Sequence, residues 1–544
     1  MQKIGFDSAK YFSMQSQKIK ERIKEFGGKL YLEFGGKLFD DFHASRVLPG
    51  FAYDSKVKLL CEMKDQAEII IVINATDIEK NKIRGDLGIT YDLEVVRLID
   101  AFSSMGLYVG SVLIAQYSGQ RAADAFRAKL DSLGIKSYIH YPIEGYPMDV
   151  NFVVSDEGFG KNDYIETTRP LVVVTAPGPG SGKMATCLSQ LFHENKRGVK
   201  AGYAKFETFP IWNLPLTHPV NLAYEAATAD LDDVNMIDHY HLAAYGEMTV
   251  NYNRDIEVFP VLNRIFETIL GESPYKSPTD MGVNMVGNCI SDDEVVCEAA
   301  KQEIIRRYYE AACEHRQGKC DENPVLRTEV LMERVGVTPA DRAVVAAALA
   351  KEEETGMPAT SIELKNGKII VGKTSSLLGS SAAMLLNALK EIAGIEDSVD
   401  IIDPLVMNPV EELKKKHLGH NNARLHLDEV LLALAVSAPK NPDAAKALAC
   451  LEELRGCECH STVILSQVDT QTFKKLGLNL TCEPKYRNKK LYHAYKECRY
   501  EICILERKRF KGLYGKRIYG KLCRNGCGFF LPSGNKTSAG SDKS

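Results

Sequence analysis

The chain contains 544 residues, 45% of them apolar, so at about 150 residues per domain it can form three or four folding units and is not disordered throughout. Its 68 basic and 72 acidic side chains give a net charge of −4, which offers no reason to expect a nucleic-acid partner for the body of the chain. No apolar run reaches the ~18 residues of a membrane span, residues 1–10 lack the layout of a secretory signal, and the 14 scattered cysteines are typical of reduced thiols, so we expect a cytoplasmic protein without a membrane partner.

The N-terminal part alternates between helix and strand patterns. A polar amphipathic helix is predicted over about residues 8–26, and the Gly-Gly pairs at 27–28 and 35–36 indicate turns on either side of a strand. Buried-strand patterns follow, with helical stripes between the first three of them, at residues 69–73, 109–115, 137–141 and 169–174. This alternation predicts an α/β domain with a mostly parallel sheet and right-handed crossovers.

Polar residues follow the first of these buried strands. Asn74 and Asp77 come directly after it, and the loop 82–86 lies a few residues further on. Because ligands bind at the carboxyl ends of parallel strands, these residues are candidates for the wall of a site. An ordinary solvated loop is the alternative, and we favour it because few polar loops are functional.

The strongest chemical signal is the glycine-rich loop at residues 175–183, Thr-Ala-Pro-Gly-Pro-Gly-Ser-Gly-Lys, which lies between a buried strand and a helical stripe. Glycine allows the positive φ angles that aim successive N–H groups at one point, and a helix N-terminus adds unpaired donors and partial positive charge. The sequence therefore predicts a site for a nucleotide or another small phosphate-bearing ligand, with these binding residues: Gly178, Gly180, Ser181, Gly182, Lys183 and Thr186.

The loop departs from the standard phosphate-binding pattern. Pro177 stands where the first glycine belongs, and Met184 stands where a serine or threonine would bind magnesium. Thr186 lies on a nearby helix face but is not an assured replacement for the missing hydroxyl. We therefore predict anion binding without the usual magnesium geometry, and a purely structural tight turn is the alternative.

A second segment, residues 367–374, satisfies the phosphate-loop pattern letter for letter. Asn366 and Gly367, however, lie between two alternating strand patterns at 361–364 and 368–371, which predicts a hairpin turn. The context therefore rejects this match.

The middle of the chain, about residues 220–356, has helical apolar spacing. The segment that leads into it, 202–213, contains the single tryptophan together with Lys205 and Glu207, which we take as candidate acid/base residues from their chemical type. His239 and His241 lack the spacing of a known metal cage, and we predict no metal site.

An α/β rhythm returns after Pro358. The hairpin is followed by helices predicted over 382–392, 410–417 and 428–436 and by strands predicted over 399–402 and 462–465. His460 is a third candidate acid/base residue. Cys457, Cys459 and His460 can ligate zinc or supply a nucleophile, but without a fourth ligand at a recognised spacing we expect the thiols to be inert.

The C-terminal segment, residues 495–544, carries 12 Lys/Arg and 4 Asp/Glu, so it is near +8 while the rest of the chain is near −12. We expect a solvated, flexible basic tail, and contact with RNA or with the acidic body is the alternative. Its cysteines, Cys498, Cys503, Cys523 and Cys527, are spaced too loosely for a zinc ribbon. The predicted domains are 1–219, 220–357 and 358–494, followed by this tail.

Five segments together resemble a bacterial family that is described by a domain of unknown function, some members of which carry the label ATP-dependent zinc protease. The segments are residues 26–40, 84–91, 175–186, 205–213 and 460–465, and the resemblance runs to about residue 493. It implies an α/β protein with a helical insertion and no settled activity. The protease label does not fit the residues, because His193-Glu194 is followed by Asn195, Lys196 and Arg197, and no His-Glu-x-x-His is present.

The function that we expect is that of a phosphate- or nucleotide-binding cytoplasmic enzyme, in a homo-oligomer. A non-catalytic binding or scaffold protein, in which the glycine loop is a hinge, is the alternative. A metal-dependent hydrolase that uses Cys457 and His460 is a weaker one.

Overall fold

The computed structural model describes residues 3–36, 38–39, 41–84, 87–419 and 424–487. The basic tail at 495–544, with its four cysteines, lies outside the described residues, as do Gly85 and Asp86 of the candidate loop. Residues up to Pro484 belong to a single compact unit. The three predicted domain boundaries stay predictions.

The strands are β1 (Leu30–Phe34), β2 (Ala67–Asn74), β3 (Ile83–Arg84), β4 (Ile89–Thr90), β5 (Tyr108–Ala115), β6 (Ser137–Ile139), β7 (Leu171–Thr175), β8 (Gly202–Phe206), β9 (Asn235–Ile237), β10 (Val250–Tyr252), β11 (Gly282–Val283), β12 (Ala359–Glu363), β13 (Ile369–Lys373), β14 (Glu458–Ser461) and β15 (Asn479–Cys482).

The helices are α1 (Ser8–Glu25), α2 (Phe42–Val47), α3 (Ser55–Glu62), α4 (Ala75–Glu79), α5 (Tyr91–Ser104), α6 (Arg121–Ser132), α7 (Val150–Val153), α8 (Lys183–Lys196), α9 (Pro219–Ala227), α10 (His239–Tyr245), α11 (Asn253–Leu270), α12 (Pro278–Met281), α13 (Asp293–Gln317), α14 (Asn323–Val335), α15 (Ala343–Thr355), α16 (Ser380–Ala393), α17 (Pro404–Glu412), α18 (Leu427–Ser437), α19 (Pro442–Ala449) and α20 (Gln467–Lys475). None of them, within the described residues, is long and apolar enough to cross a bilayer.

Seven strands form one sheet in the order β11-β8-β1-β7-β2-β5-β6, and every neighbouring pair is parallel. The predicted α/β class and the mostly parallel sheet are confirmed. The strands predicted at 69–73, 109–115, 137–141 and 169–174 correspond to β2, β5, β6 and β7. The sheet also takes in β11, which comes from the largely helical middle of the chain.

Alternate residues of each central strand enter two different cores, because successive side chains of a strand point to opposite faces. On β2, Ile69, Ile71 and Ile73 join the core that contains α5 and α6. Ile70 and Val72 join the core that contains α8 and α11. A continuous apolar run such as β2 therefore indicates a strand that helices cover on both faces.

A second sheet of four strands has the order β13-β12-β14-β15. Its β12–β13 hairpin turns at Gly367, whose φ is +82°, as the alternating pattern predicts. The phosphate-loop match at 367–374 is therefore part of a hairpin.

Two predicted strands in this region are wrong. Residues 399–402 form no strand; Ile401 and Ile402 are buried in the core of the second sheet without a strand partner. The strand predicted at 462–465 lies four residues earlier, as β14, because His460 pairs with Ser361 of β12 and with Thr481 of β15. In both cases a largely apolar segment is partly buried without joining a ladder, and periodicity does not distinguish such a segment from a strand.

Buried ion pairs join the second sheet to α13. The Glu458 carboxylate on β14 accepts from Arg342 at 2.6 Å and from Arg306 of α13 at 3.3 Å. Burial raises the pKa of Glu458, but the two guanidinium groups together lower it by more than burial raises it. The net pKa therefore lies below its ordinary value. Glu458 is therefore a charged, half-buried contact between the N-terminal and C-terminal parts of the chain.

Candidate functional site

The glycine-rich loop connects β7 to α8, so the order strand, loop, helix is as predicted. Gly180 and Gly182 have φ angles of +74° and +94°, a region that favours glycine, and Gly182 is the N-cap of α8. Pro179 and Gly180 at the tip are exposed, and a Cβ built on Gly180 would meet no atom within 4 Å. The tip is therefore open to solvent.

The loop leaves backbone donors free. Within the described residues, the N–H groups of Gly180, Ser181 and Gly182 donate to no acceptor, and the α8 N-cap has no side-chain hydrogen bond. The Lys183 ammonium, also within that part of the chain, forms no ion pair. Free N–H groups, a helix N-terminus and an unpaired cation in one loop are the usual components of an anion site.

The two hydroxyl groups of the loop already donate to carbonyl oxygens. The Ser181 hydroxyl donates to the Gly178 carbonyl at 2.7 Å, and the Thr186 hydroxyl donates to the Gly182 carbonyl at 2.9 Å. Both residues are buried. These bonds stabilise the conformation of the loop. The Thr186 hydroxyl is thereby bonded to a backbone carbonyl at the start of its own helix, α8.

The loop lies where the winding of the sheet changes direction. After β7 the chain crosses to β8 by way of α8, which packs on one face; after β2 it reaches β5 by way of α5, which packs on the other face. β7 and β2 are neighbours, so this is the point at which an open α/β sheet is expected to have a crevice between the carboxyl ends of its strands. Ligands of open α/β sheets bind at such a switch point.

Residues after β2, the predicted wall of a site, lie on the other side of this switch point. The Asn74 side chain caps α4 by accepting from the Thr76 N–H at 2.8 Å. Lys82 pairs with Asp77 at 3.3 Å and lies 4.9 Å from the centre of the Tyr91 ring. Tyr91 in turn approaches the loop, since a Cβ on Gly178 would lie 2.2 Å from its hydroxyl oxygen. The structure thus brings this wall and the glycine loop together.

A buried polar cluster lies near the carboxyl ends of β1 and β8. The Lys205 ammonium donates to the Tyr252 hydroxyl at 2.6 Å, contacts the Glu207 carboxylate at 2.8 Å and also bonds the Asp255 carboxylate. The Tyr252 hydroxyl donates to Glu207 at 2.9 Å. Two of the three predicted acid/base residues, Lys205 and Glu207, are therefore in direct contact.

The surroundings of Lys205 and Glu207 shift the pKa values of both side chains. Burial lowers the pKa of Lys205, but Asp255 and Glu207 raise it, and the net pKa lies well above its ordinary value. Burial raises the pKa of Glu207, and the opposing effect of Lys205 does not cancel this shift. Lys205 therefore stays a cation and is not a base at neutral pH, whereas Glu207 is the group of the cluster that is suited to hold and donate a proton.

Glu33 on β1 lies between the cluster and β7, the strand that leads into the glycine loop. In the parallel register Glu33 lies between Val174 of β7 and Lys205 of β8, and paired residues of a parallel sheet face the same side. Its carboxylate accepts from the Tyr203 hydroxyl at 2.8 Å. Burial raises the pKa of the Cys187 thiol on α8, Glu33 raises it further and Lys183 lowers it, so both charges act on this one side chain.

Models of a known family match most of the chain. A domain of unknown function, DUF1846, matches with its N-terminal part over residues 4–336 and with its C-terminal part over 340–492. The chain belongs to the DUF1846 family. A UPF0371 protein of Streptococcus thermophilus is 60% identical over 492 residues, which is 90% of this chain and all of that relative. One from Streptococcus pneumoniae is 59% identical over the same length.

The family match agrees with the resemblance carried by the five segments, and it names no activity. Four segments map onto this region: 26–40 contains β1, 84–91 ends at Tyr91, 175–186 is the glycine loop, and 205–213 begins at Lys205. The fifth, 460–465, lies in the second sheet.

His460 of this DUF1846 chain is placed elsewhere. It is buried on β14, where its Nδ1 lies 2.9 Å from the Thr481 hydroxyl and its ring packs 5.0 Å from that of Tyr309. In the described part of the chain no hydrogen bond or ion pair joins it to Lys205 or Glu207. The structure therefore does not bring this third acid/base candidate into the cluster.

The other described histidines and cysteines singled out from the sequence lie at several separate places in the fold. Among the described residues, a single group of three or more His, Cys, Asp or Glu has its ligand atoms close enough for one metal ion, and it contains neither Cys457 nor His460. His241 contacts the Ser277 hydroxyl at 2.9 Å, and the His239 ring packs on Tyr240.

The sequence assigned no role to four residues of the buried cluster: Glu33, Tyr203, Tyr252 and Asp255, although the last two lie in a segment, 251–255, that is dense in ligand-binding side chains. A signal for two of them was present, because Tyr203, Lys205 and Glu207 alternate along a strand of otherwise small and apolar residues, as Tyr31 and Glu33 do on β1. Polar residues at every second position of a buried strand face one side. Tyr252 comes from β10 and Asp255 from α11, and only the folded chain brings them there.

Proposed function

We propose that this protein binds a small phosphate-bearing ligand, with the phosphate in the glycine loop and the remainder of the ligand directed toward the buried cluster. The observation that carries the proposal is the loop itself: free N–H groups at Gly180, Ser181 and Gly182, followed by the N-terminus of α8 and the unpaired cation of Lys183. Its place at the switch point of the sheet supports the same conclusion.

The chemistry that the cluster supports is proton donation. Glu207 has a raised pKa and a hydrogen bond from Tyr252, and Lys205 holds the carboxylates in place without acting as a base. We therefore propose an enzyme in which Glu207 is the acid/base residue. Cytoplasmic location and homo-oligomeric assembly remain predictions from the sequence.

Magnesium is not required by this arrangement. Met184 replaces the usual metal-binding hydroxyl, and the Thr186 hydroxyl donates back into its own helix. The N–H groups and Lys183 supply the positive potential instead. Binding is therefore expected to be about equally strong with magnesium and with a chelator.

The test is ligand-induced stabilisation. Wild-type protein is melted with ATP, GTP, nucleoside monophosphates, pyrophosphate and sugar phosphates, each with magnesium or with chelator. A ligand present at 100 times its Kd stabilises the folded state by about 2.7 kcal/mol. A hydrogen bond to a charged group is worth about 1.5–3 kcal/mol, so we expect Lys183→Ala to weaken binding by roughly 10- to 100-fold.

Lys196→Ala is the matched control, since Lys196 ends the helix that Lys183 begins and its ion pair with Asp156 is exposed. It should respond to the ligand as wild type does. Stabilisation that survives Lys183→Ala would move the site away from the loop. No stabilisation by any phosphate compound would favour the alternative, a non-catalytic protein in which the loop is a hinge.

A further inference from the structure

A group of metal-binding side chains lies outside the glycine loop and the buried cluster. His218 is the N-cap residue of α9, and Asp293 and Cys297 lie one helical turn apart at the start of α13. Together they form the one group in the described part of the chain whose His, Cys and carboxylate ligand atoms all lie within 4.8 Å of one another.

The separations fit one face of a coordination tetrahedron. His218 Nε2 lies 3.1 Å from Asp293 Oδ1 and 3.5 Å from Cys297 Sγ, and Cys297 Sγ lies 3.7 Å from Asp293 Oδ2. Zinc bonds of about 2.0–2.3 Å at tetrahedral angles place nitrogen, oxygen and sulfur ligands ~3.4–3.6 Å apart. His218 and Cys297 contact different oxygens of the Asp293 carboxylate, and one ligand atom from each of the three residues lies within 4.8 Å of the other two, which is close enough for them to share a single ion.

The donor set also matches one class of ion in charge and chemistry. A carboxylate and a thiolate carry two negative charges, which balance one divalent cation. Magnesium and calcium prefer oxygen ligands alone, whereas nitrogen and sulfur donors in a tetrahedral arrangement suit zinc.

Exposure differs across the group in a way that suits a site with an open position. The His218 side chain is 9% exposed and that of Asp293 is 65% exposed. The imidazole is therefore held by packing, and solvent reaches the carboxylate side.

We propose that His218, Asp293 and Cys297 bind a divalent metal of the zinc class, with a fourth position open to water. The ion would join the start of α9 to the start of α13, two helices that pack against each other. Binding releases the thiol proton of Cys297 to solvent and shifts the ring proton of His218 from Nε2 to Nδ1, so that the imidazole stays neutral.

One contact opposes this binding. The Val220 N–H donates to His218 Nδ1 at 3.2 Å, which places the proton of the neutral ring on Nε2. Metal binding at Nε2 breaks this cap bond. A single long hydrogen bond at an accessible helix end is a small loss against three metal–ligand bonds, because water can satisfy the freed N–H.

A catalytic thiol accounts less well for the group. In a Cys-His-acid triad the thiol faces one ring nitrogen and the carboxylate faces the other. Here Cys297 and Asp293 both approach Nε2, while Nδ1 faces the backbone. The imidazole therefore lacks an orienting carboxylate, and the shared approach to one nitrogen is what a metal requires.

Cobalt(II) provides the test, since its bond to a thiolate absorbs in the near ultraviolet. Full-length protein, treated with chelator and desalted, is titrated with Co²⁺ and then with Zn²⁺. The other cysteines are unchanged in Cys297→Ser, so the difference between wild type and this variant isolates the site. We expect a difference of one equivalent that Zn²⁺ displaces, and a melting temperature that one equivalent of Zn²⁺ raises in wild type only.

Three variants complete the design. His218→Asn keeps a good N-cap but removes the imidazole, and Asp293→Asn keeps the side-chain size but removes the charge. Because loss of an outer-shell partner alone costs about 10–100-fold in metal affinity, each should weaken Co²⁺ binding by at least roughly tenfold. Cys450→Ser, at another half-buried thiol, should leave the difference band unchanged. A wild-type spectrum without thiolate absorption, or absorption that is equal in wild type and Cys297→Ser, would overturn the proposal.

Discussion

Replacement of Lys205 by methionine tests whether the buried cluster is the charged network that the structure describes. The variant keeps an unbranched side chain of similar length and removes the one cation of the cluster. Glu207 and Asp255, both almost fully buried, would then lie close together without a counter-ion. Breaking a buried pair by removing one partner costs about 3–5 kcal/mol, because an uncompensated charge stays inside.

Lys196→Met provides the matched comparison. Lys196 also pairs with a carboxylate, that of Asp156, but the two side chains are 50% and 76% exposed. An exposed pair contributes about 0–1 kcal/mol. The two lysine substitutions should therefore differ by at least about 2 kcal/mol.

The measurement is equilibrium unfolding in urea, followed by tryptophan fluorescence. Trp212 is the single tryptophan of the chain, and its ring contacts Gly282 of β11, the neighbour of β8. Its emission thus reports on the part of the sheet that holds Lys205. A loss below about 1 kcal/mol for Lys205→Met, no larger than that of the exposed control, would refute the reasoning.

The pH dependence of the same variant gives an independent check. Without Lys205 the pKa of Glu207, already raised by burial, loses its main opposing effect and rises further. A raised folded-state pKa contributes stability at low pH that is lost as pH increases through it. The penalty of Lys205→Met should therefore shrink between about pH 8 and about pH 5, and a penalty independent of pH would point to lost packing instead.

Three further predictions follow from other contacts. Gly178→Ala should cost about 1–3 kcal/mol in urea unfolding and weaken the phosphate response, because the new Cβ would lie 2.2 Å from the Tyr91 hydroxyl; wild-type behaviour would place the loop differently. Burial lowers the pKa of His140 to about 3, so its neutral form contributes stability above pH 6.5 that is lost as pH falls toward 3. His140→Asn should make the free energy of unfolding depend less on pH in this range. An unchanged pH dependence would contradict the shift. Glu458→Gln should cost about 1.5–3 kcal/mol, because the buried Arg342 guanidinium loses its hydrogen bond to a charged partner, and a loss near zero in urea unfolding would show that the pair is dispensable.

The parallel sheet was predictable because its strands are buried on both faces. Runs such as Ile69–Ile73 contain no polar interruption, and a run of this length and composition is typical of a strand that is covered on both sides. The glycine loop was predictable because its glycines mark special backbone conformations. Gly180 and Gly182 have positive φ angles, which other residues rarely adopt.

The strand β8 was not predicted, although it lies beside β1 in the centre of the site. Its sequence, Gly-Tyr-Ala-Lys-Phe, contains a lysine that composition assigns to the surface. Lys205 is tolerated there because Asp255 and Glu207 arrive from elsewhere in the chain and compensate its charge. Pairing of this kind is a tertiary property, so local patterns do not reveal it.

The charge balance between the glycine loop and the buried cluster restricts the ligand under the proposed function. Even with a proton on Glu207, Lys205 is outnumbered by Asp255 and Glu33, so the cluster is negative, while Lys183 and the free N–H groups make the loop positive. Adjacent strands lie about 4.8 Å apart, which places Lys205 two strands, or ~10 Å, from the end of β7. A second phosphate directed at the cluster would therefore be repelled. A phosphate monoester whose other end carries hydroxyl or amino groups should therefore bind more tightly than pyrophosphate. Tighter binding of pyrophosphate would show that the cluster is not part of the ligand site.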